Sequence, residues 1–350
     1  MIKAPNAQKL YDDLFRQITR MELHPGMAIP SENDLALQYQ ISRPTVRKIL
    51  GRLCDKGMLE KRMGKGTFVC NLEKASLDVP DRSFKIAMES YNIENPYYRS
   101  IFNAITSSPF GKNTYIKLTD PADITAGRIP EEVDAVFLSG SLYPEVVYWR
   151  LLKRGLPLVH RNRKGLYDGV GYATIDHHSE ACRAVSVFLQ GGYRRIACIG
   201  VDLECTTAST YNRFLGWKDA YRSFDLTAPE ELVISHTEIR AGNFVSRLQQ
   251  AGADAYFILN WWAYSIFQLD YLQTVGKSLE DQVLLIFDDI DTFHPEKPLR
   301  HNFVRMPIAQ MTLSCIEYLW KKSQNPALKP LQQILPGEMV IRHELIKPKL

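Results

Sequence analysis

From about residue 84 onward the chain repeats one pattern: a short apolar run rich in β-branched and aromatic residues, then a stretch with helical spacing. The runs are Phe84–Met88, Tyr115–Leu118, Ala135–Leu138, Leu156–His160, Ala173–Ile175, Arg195–Gly200, Leu232–His236, Ala255–Leu259 and Val283–Phe287. Helical patterns fall near 97–107 and at Glu145–Arg154, Ser179–Gln190, Asn212–Ser223, Asn243–Gln250 and Tyr264–Val275. Near-continuous apolar strands alternating with helices predict parallel sheets, because parallel strands need a crossover between them. About two hundred residues of such units are more than one twisted sheet holds comfortably. Two successive Rossmann-like lobes are therefore expected over residues 84–343.

The first 83 residues have a different texture. Residues 7–21 read as a helix, with Leu10, Leu14, Ile18 and Met21 on one stripe and Tyr11 and Phe15 widening it. His24-Pro25-Gly26 breaks it. Ser31 and Asp34 have capping-box spacing for a short helix through about Gln38. Ser42 can cap a third helix, with Pro44 tolerated in its first turn and Gly57 ending it. Met58–Arg62 and Thr67–Cys70 flank Met63-Gly64-Lys65-Gly66 as a small hairpin. Three helices followed by a hairpin is the order of a winged helix-turn-helix, expected over 1–70. Residues 71–83 lack periodicity and read as a linker.

Charge follows the same division. The chain is 350 residues long with a net charge of +4. Residues 1–71 hold 12 Lys/Arg against 7 Asp/Glu, and the remainder 31 against 32. The positive balance thus sits in the first fifth, as in a nucleic-acid-binding module on a near-neutral body. No apolar stretch reaches membrane length, and Met1-Ile2-Lys3-Ala4-Pro5-Asn6 carries no secretory pattern, so a cytoplasmic protein is expected. Cysteines 54, 70, 182, 198, 205 and 315 are scattered, without metal or disulfide spacing.

The sharpest motif is Ser42-Arg43-Pro44-Thr45-Val46-Arg47-Lys48. On a helix, Val46, Ile49, Leu50 and Leu53 face a core. Arg43 and Arg47, four residues apart, share the other side with Thr45 and Lys48 flanking. Guanidinium groups in the early turns of a helix suit the major groove, where Arg meets guanine O6 and N7 with two hydrogen bonds. A solvated basic face is the bland alternative for the helix taken alone.

The neighbouring elements decide between them, because the segment resembles the GntR family of bacterial regulators. Pro30-Ser31-Glu32-Asn33-Asp34-Leu35-Ala36 is similar to that family's P-S-E-x-x-L-A, Ser42–Arg47 to S-R-x-T-V-R, and Gly64–Val69 to the wing G-x-G-T-F-V. Asn33 departs from the family, where many members carry Arg. The resemblance implies DNA contact by Arg43 and Arg47, and a wing at Gly66 in the minor groove with Lys65 toward phosphate. The candidate DNA-contacting set is Ser31, Glu32, Ser42, Arg43, Pro44, Thr45, Arg47, Lys48, Lys65, Gly66 and Thr67.

The body resembles the LacI-type periplasmic-binding-protein fold. The motifs are Asn95-Pro96-Tyr97-Tyr98, Val159-His160-Arg161, Gly191–Ala197, Asn212–Trp217, Phe287-Asp288-Asp289 and Ile334–Arg342, with Ile286 where the family has Gly. A GntR-type head on such a body matches the arabinose-repressor-like subgroup. That implies a homodimer on operator DNA and a sugar or similar small polar effector bound between the lobes. Candidate effector contacts are Tyr97, Tyr98, Arg161, Asp176, Arg213, Asn260 and Asp288. Asp288, Asp289 and Asp291 lack a third segment for a metal site. Asp176, His177 and His178 are read as cleft residues before an acid–base set. Trp261 and Trp262, after a strand end, suit either stacking on a sugar or core packing. No P-loop, G-x-G-x-x-G or G-x-S-x-G is present, and no cofactor is implied. The alternatives are a sensor-like body that only dimerises, and a DNA-binding head fused to an enzyme. The second would need a cofactor lysine in a suitable pattern and a longer body.

Overall fold

The computed structural model describes residues 4–19, 23, 26–55, 58–62, 66–70, 80–92, 94–164, 167–288, 293, 300–343 and 345. Three helices open the chain: α1 (Ala4–Thr19), α2 (Glu32–Gln38) and α3 (Arg43–Asp55). The caps follow the sequence closely. Ser31 Oγ accepts from Asp34 N at 3.2 Å, and the Asp34 carboxylate accepts from Ser31 N at 3.2 Å, so two backbone donors at the helix start are satisfied together. Ser42 Oγ accepts from Thr45 N at 3.3 Å, and Pro44 sits in the first turn, where its missing N–H costs nothing.

Leu10, Leu14 and Ile18 of α1 are buried, as are Leu35 of α2 and Val46, Ile49, Leu50 and Leu53 of α3. Strands β1 (Leu59–Arg62) and β2 (Gly66–Val69) pair antiparallel, and Met58, Leu59 and Val69 are buried with them. One feature of this head is absent from the sequence reading. Residues 26–29 run extended along β2, with Gly26 N donating to Val69 O at 2.8 Å and Ile29 N to Thr67 O at 3.0 Å. Read alone, Pro25-Gly26 marks only the end of a helix. The pairing appears once β2 offers its free edge.

Past the head the chain forms two six-stranded sheets. Residues 71–79 of the expected linker lie outside the described residues. Asn113 Nδ2 donates to Pro80 O at 2.6 Å, just before the first sheet begins. That sheet has the order β13-β7-β6-β5-β3-β4, from β3 (Phe84–Glu89), β4 (Thr114–Thr119), β5 (Ala135–Leu138), β6 (Leu158–Arg161), β7 (Gly171–Ile175) and β13 (Gln332–Leu335). The second has the order β14-β12-β11-β10-β8-β9, from β8 (Ile196–Val201), β9 (Val233–Ser235), β10 (Ala255–Ile258), β11 (Leu284–Ile286), β12 (Asn302–Arg305) and β14 (Glu338–Val340). β3 to β7 pair parallel, as do β8 to β12, and β14 runs antiparallel to β12.

In order of appearance both sheets read 2-1-3-4-5-6, an open doubly wound arrangement. In such sheets ligands bind beyond the strand C-termini, where the order reverses. The crossovers are α4 (Pro96–Thr106), α5 (Pro121–Ala126) and α6 (Glu145–Lys153) in the first; α8 (Ser209–Arg222), α9 (His236–Ala241), α10 (Phe244–Gln250) and α11 (Trp261–Val275) serve the second. α7 (His177–Gln190) and α12 (Ile308–Gln324) complete the helices among the described residues, with short 3₁₀ turns at Pro109–Lys112 and Glu230–Leu232.

The chain divides into two compact units: Met1–Thr174 with Ile308–Gln333, and Ile175–Pro307 with Ile334–Leu350. It therefore passes from one to the other three times. The terminal segment, read as one motif, supplies an edge strand to each sheet. Among the described residues no helix is long and apolar enough to cross a membrane.

Candidate functional site

The basic face of the head is built on α3. With Val46, Ile49, Leu50 and Leu53 buried, the helical period turns Arg43, Pro44, Arg47 and Lys48 to solvent. Arg47 does not stand alone there. Its Nε and Nη2 donate to Glu32 Oε2 at 3.2 and 3.0 Å, while Lys61 Nζ donates to Glu32 Oε1 at 3.1 Å. The hydrogen bond from Arg47, and then Lys61, hold the Glu32 carboxyl below the usual carboxylate range. Glu32 thus ties α2, α3 and β1 together and aims the Arg47 guanidinium. Ser31 and Ser42 are committed to caps, and Thr45 Oγ1 lies 2.7 Å from Ser42 Oγ. At the wing, Gly66 adopts φ +115°, which only glycine takes without strain. Thr67 faces Lys61 across the hairpin, and Arg62 stacks over Phe68 at 4.5 Å. Lys65 lies outside the described residues.

In the first α/β sheet, Arg161 ends β6 and is fully buried. Its Nη1 donates to Tyr97 Oη at 2.7 Å, and the guanidinium carbon sits 5.1 Å from that ring's centre. Asn95 fixes Tyr97 by accepting its backbone N–H at 3.0 Å as the cap of α4. Tyr98 is buried edge-on against Tyr97 and Tyr91. His160 is buried, its Nε2 3.0 Å from Ser141 O. Burial, with Arg163 nearby, pushes it down to about 3, so the ring is neutral. Glu89, at the end of β3, is buried and accepts from Ser139 N at 2.7 Å and from Ser141 N at 3.1 Å. Burial raises its carboxyl.

In the second sheet the candidates are placed differently. Arg213 is buried with its donors engaged: Nε to His177 Nδ1 at 3.2 Å, Nη1 to Leu259 O and to Phe287 O, and Nη2 to Met306 Sδ at 3.4 Å. It thereby ties together the ends of β10, β11 and β12. Asp288 Oδ2 accepts from Trp261 N at 2.6 Å, and Asn260 Oδ1 caps α11 through Ala263 N at 2.7 Å. Trp261 and Trp262 open that helix and are half-buried. Asp176 caps α7, accepting from Ser179 N at 3.0 Å and Ser179 Oγ at 2.8 Å. Against the raising effect of burial, these bonds hold its carboxyl below the usual range.

Asp176, His177 and His178 reach three different partners, since His178 pairs with Asp219 at 2.8 Å, and they form no relay. Asp289 and Asp291 lie outside the described residues. Among the described residues no three His, Cys, Asp or Glu side chains gather to hold a metal.

Residues 6–69 match the family model of bacterial regulatory proteins, gntR family. The head is a GntR-family winged helix. The repressor NagR of Bacillus subtilis is 43% identical over 65 residues, 19% of this chain and 27% of the relative. The arabinose metabolism transcriptional repressor of Geobacillus stearothermophilus is 23% identical over 98% of this chain and 96% of its own. Among solved structures, a LacI family transcriptional regulator from Enterococcus faecium with bound ribose matches with a TM-score of 0.63 and 20% identity, covering 76% of this chain and all of that one. The transcriptional regulator CelR in complex with cellobiose matches with a TM-score of 0.61 and 17% identity, over 87% of this chain and 92% of that one. The body behind the GntR-type head therefore has the LacI-type, periplasmic-binding-protein-like fold.

Two residues escaped sequence reasoning. Ser90 and Ser139 directly follow β3 and β5, and both hydroxyls are buried. A serine at a strand end carries no signal by itself. The strand order had to be known first.

Proposed function

We propose that this chain is a sequence-specific transcriptional repressor whose operator affinity is set by a small polar effector, a sugar or sugar derivative. The observation that carries the reading is the helix α3: one face fully buried, the other presenting Arg43, Arg47 and Lys48, with Glu32 holding Arg47 in place. Because Glu32 competes for the same guanidinium, base contact by Arg47 exchanges one bidentate partner for another, which favours geometry over mere charge. Operator contact falls to Arg43, Thr45, Arg47 and Lys48, with Gly66, Thr67 and Lys65 at the wing. Ser31, Glu32, Ser42 and Pro44 set the frame. A homodimer, with two heads on a pseudo-palindromic operator, fits how such modules double their contacts.

Effector contact is assigned to strand C-termini: Tyr97 and Arg161 on the first sheet, Asn260 and Asp288 on the second. Tyr98, Asp176 and Arg213 act by packing, capping and clamping around them. The reading makes the chain a regulator acting in the cytoplasm, without catalysis of its own. Electrophoretic shift with an operator selected from random duplexes tests it. Wild type should bind that operator far above random DNA, and Arg47→Ala should narrow the difference. Equal loss on both DNAs would mean that Arg47 touches only phosphate.

A further inference from the structure

Three side chains on the first sheet form a row in which only Arg161 has so far been given a role. Met88 pairs with Phe137, and Leu138 with His160. Continuing that register sets Ser90, Ser139 and Arg161 side by side on three neighbouring strands, about 4.8 Å apart from strand to strand. Residues in register share a face, so the three side chains project the same way. They lie at the C-terminal ends of β3, β5 and β6, beside the point where the strand order reverses. All are buried, at 7%, 2% and 0% exposure. Among the described residues, Ser90 Oγ, Ser139 Oγ and both Nε and Nη2 of Arg161 have no hydrogen-bond partner in the protein.

The arginine defines the chemistry. Nη1 is tied to Tyr97 Oη, and the Tyr97 ring lies under the guanidinium, so its plane is fixed. The edge left over, Nε with Nη2, carries two parallel N–H bonds, the arrangement that grips a carboxylate in two hydrogen bonds. No acidic side chain among the described residues pairs with it. Glu89 precedes Ser90 by one residue, alternates to the opposite face, and is occupied by Ser139 and Ser141. A buried guanidinium without a counter-charge is strongly unfavourable. Such a group persists where a partner of opposite charge arrives from outside the fold. Solvent does not reach these polar atoms in this structure, and a charged hydrogen bond made in such low-dielectric surroundings is strengthened.

We propose that this row binds the carboxylate of a sugar acid: Arg161 holds the two oxygens through Nε and Nη2, and Ser139 and Ser90 meet the hydroxyls beside it. The proposal rests on reading the chain as a sugar-responsive regulator and narrows the effector from a neutral sugar to an anionic one.

Thermal shift of the full chain tests it with D-gluconate, D-glucuronate and D-galacturonate, against D-glucose, D-galactose and L-arabinose, with glucose 6-phosphate as a separate arm. At least one sugar acid should raise the midpoint by about 5 °C at a hundredfold excess over its Kd. Its neutral counterpart should bind at least about tenfold more weakly, the value of one lost charged pair. Arg161→Met should abolish the acid's shift, and without ligand should melt about 2–4 °C higher than wild type because the uncompensated charge is gone. Arg161→Lys keeps the charge but loses the fork, and should fold normally while losing the preference for acids. Equal shifts from neutral sugars and acids would overturn this inference and leave the sugar-responsive reading standing. A shift from glucose 6-phosphate alone would overturn the carboxylate assignment. A fall in the ligand-free midpoint of Arg161→Met would show the guanidinium to be compensated, and would overturn it too. No shift from any of these compounds would sink the effector reading itself, and this inference with it.

Discussion

In the head, Arg43, Arg47 and Lys48 stand in solvent on a helix whose other face is buried; in the body, Arg161 and Arg213 are buried at 0% and 2% exposure. The same residue type serves opposite ends of the electrostatic scale. Exposed guanidinium groups cost nothing to keep and attract any phosphate backbone, with base contacts adding the discrimination. Buried ones are expensive unless matched, so they reveal what they are matched to. Arg213 is matched internally, by His177 and the carbonyls of Leu259 and Phe287, and acts as a clamp. Arg161 is matched on one nitrogen only. The difference teaches that an exposed arginine face and a buried arginine with unmet hydrogen bonds point to different partners: under the proposed function, DNA for the first and a small molecule for the second.

The contrast breaks most sharply by cutting it in two. A chain beginning at residue 80 should lose operator binding altogether while keeping any effector-induced rise in melting temperature. Retained operator affinity, measured by fluorescence anisotropy, would place DNA recognition in the body. The next largest effect is structural. Leu50 is fully buried in the head, and Leu50→Ala should destabilise it by about 2–5 kcal/mol. DNA binding should then fail at a temperature where the body's own melting transition is unmoved. Coincident loss of both transitions would show one cooperative unit.

Acid should act on the body. His160 and His301 are buried and pushed down to about 3 and about 4. Below their ordinary pKa of 6.5 the unfolded chain takes up protons that the folded chain refuses. The stability they confer is therefore present above pH 6.5 and is lost as pH falls, by up to about 1.4 kcal/mol per pH unit for each ring. Calorimetry between pH 7 and 5 should show the body's midpoint falling, and a flat profile would contradict the neutral buried rings. The smallest effect belongs to the exposed face. Arg47→Ala should cost about 1–3 kcal/mol on the selected operator and less on random DNA, whereas Lys48→Ala should weaken both alike.

Legibility in the sequence follows the same line. The head could be read almost residue by residue, because caps, breakers and the apolar stripe of α3 are local signals. β5 and α6 were equally plain. The sequence pattern shows no α5, although Asp120-Pro121 is a good helix start, and no α9, whose first residue His236 ends an apolar run, although Ser235 and Glu238 form a capping box. α12, the longest helix, buries Met311, Leu313, Cys315, Ile316, Leu319 and Trp320 around much of its circumference, which blurs the amphipathic period. The candidate site was legible as a set of polar residues at strand ends. Which of them are spent on the protein itself was not, since Arg213 and Arg161 look alike until their partners, 46 and 64 residues away, are placed. Ser90 and Ser139 were invisible for the same reason: register, not spacing, brings them together.

The most direct test of the account follows DNA occupancy and effector together. Full-length protein is bound to the selected operator and titrated with the sugars and sugar acids while anisotropy is recorded, for wild type and for Asp288→Ala. The account predicts that an effector releases wild type, and that Asp288→Ala binds the operator with unchanged affinity but is no longer released at the same concentration. Release of Asp288→Ala at the wild-type concentration, or loss of its DNA affinity before any effector is added, would contradict the division between a head that reads DNA and a body that senses.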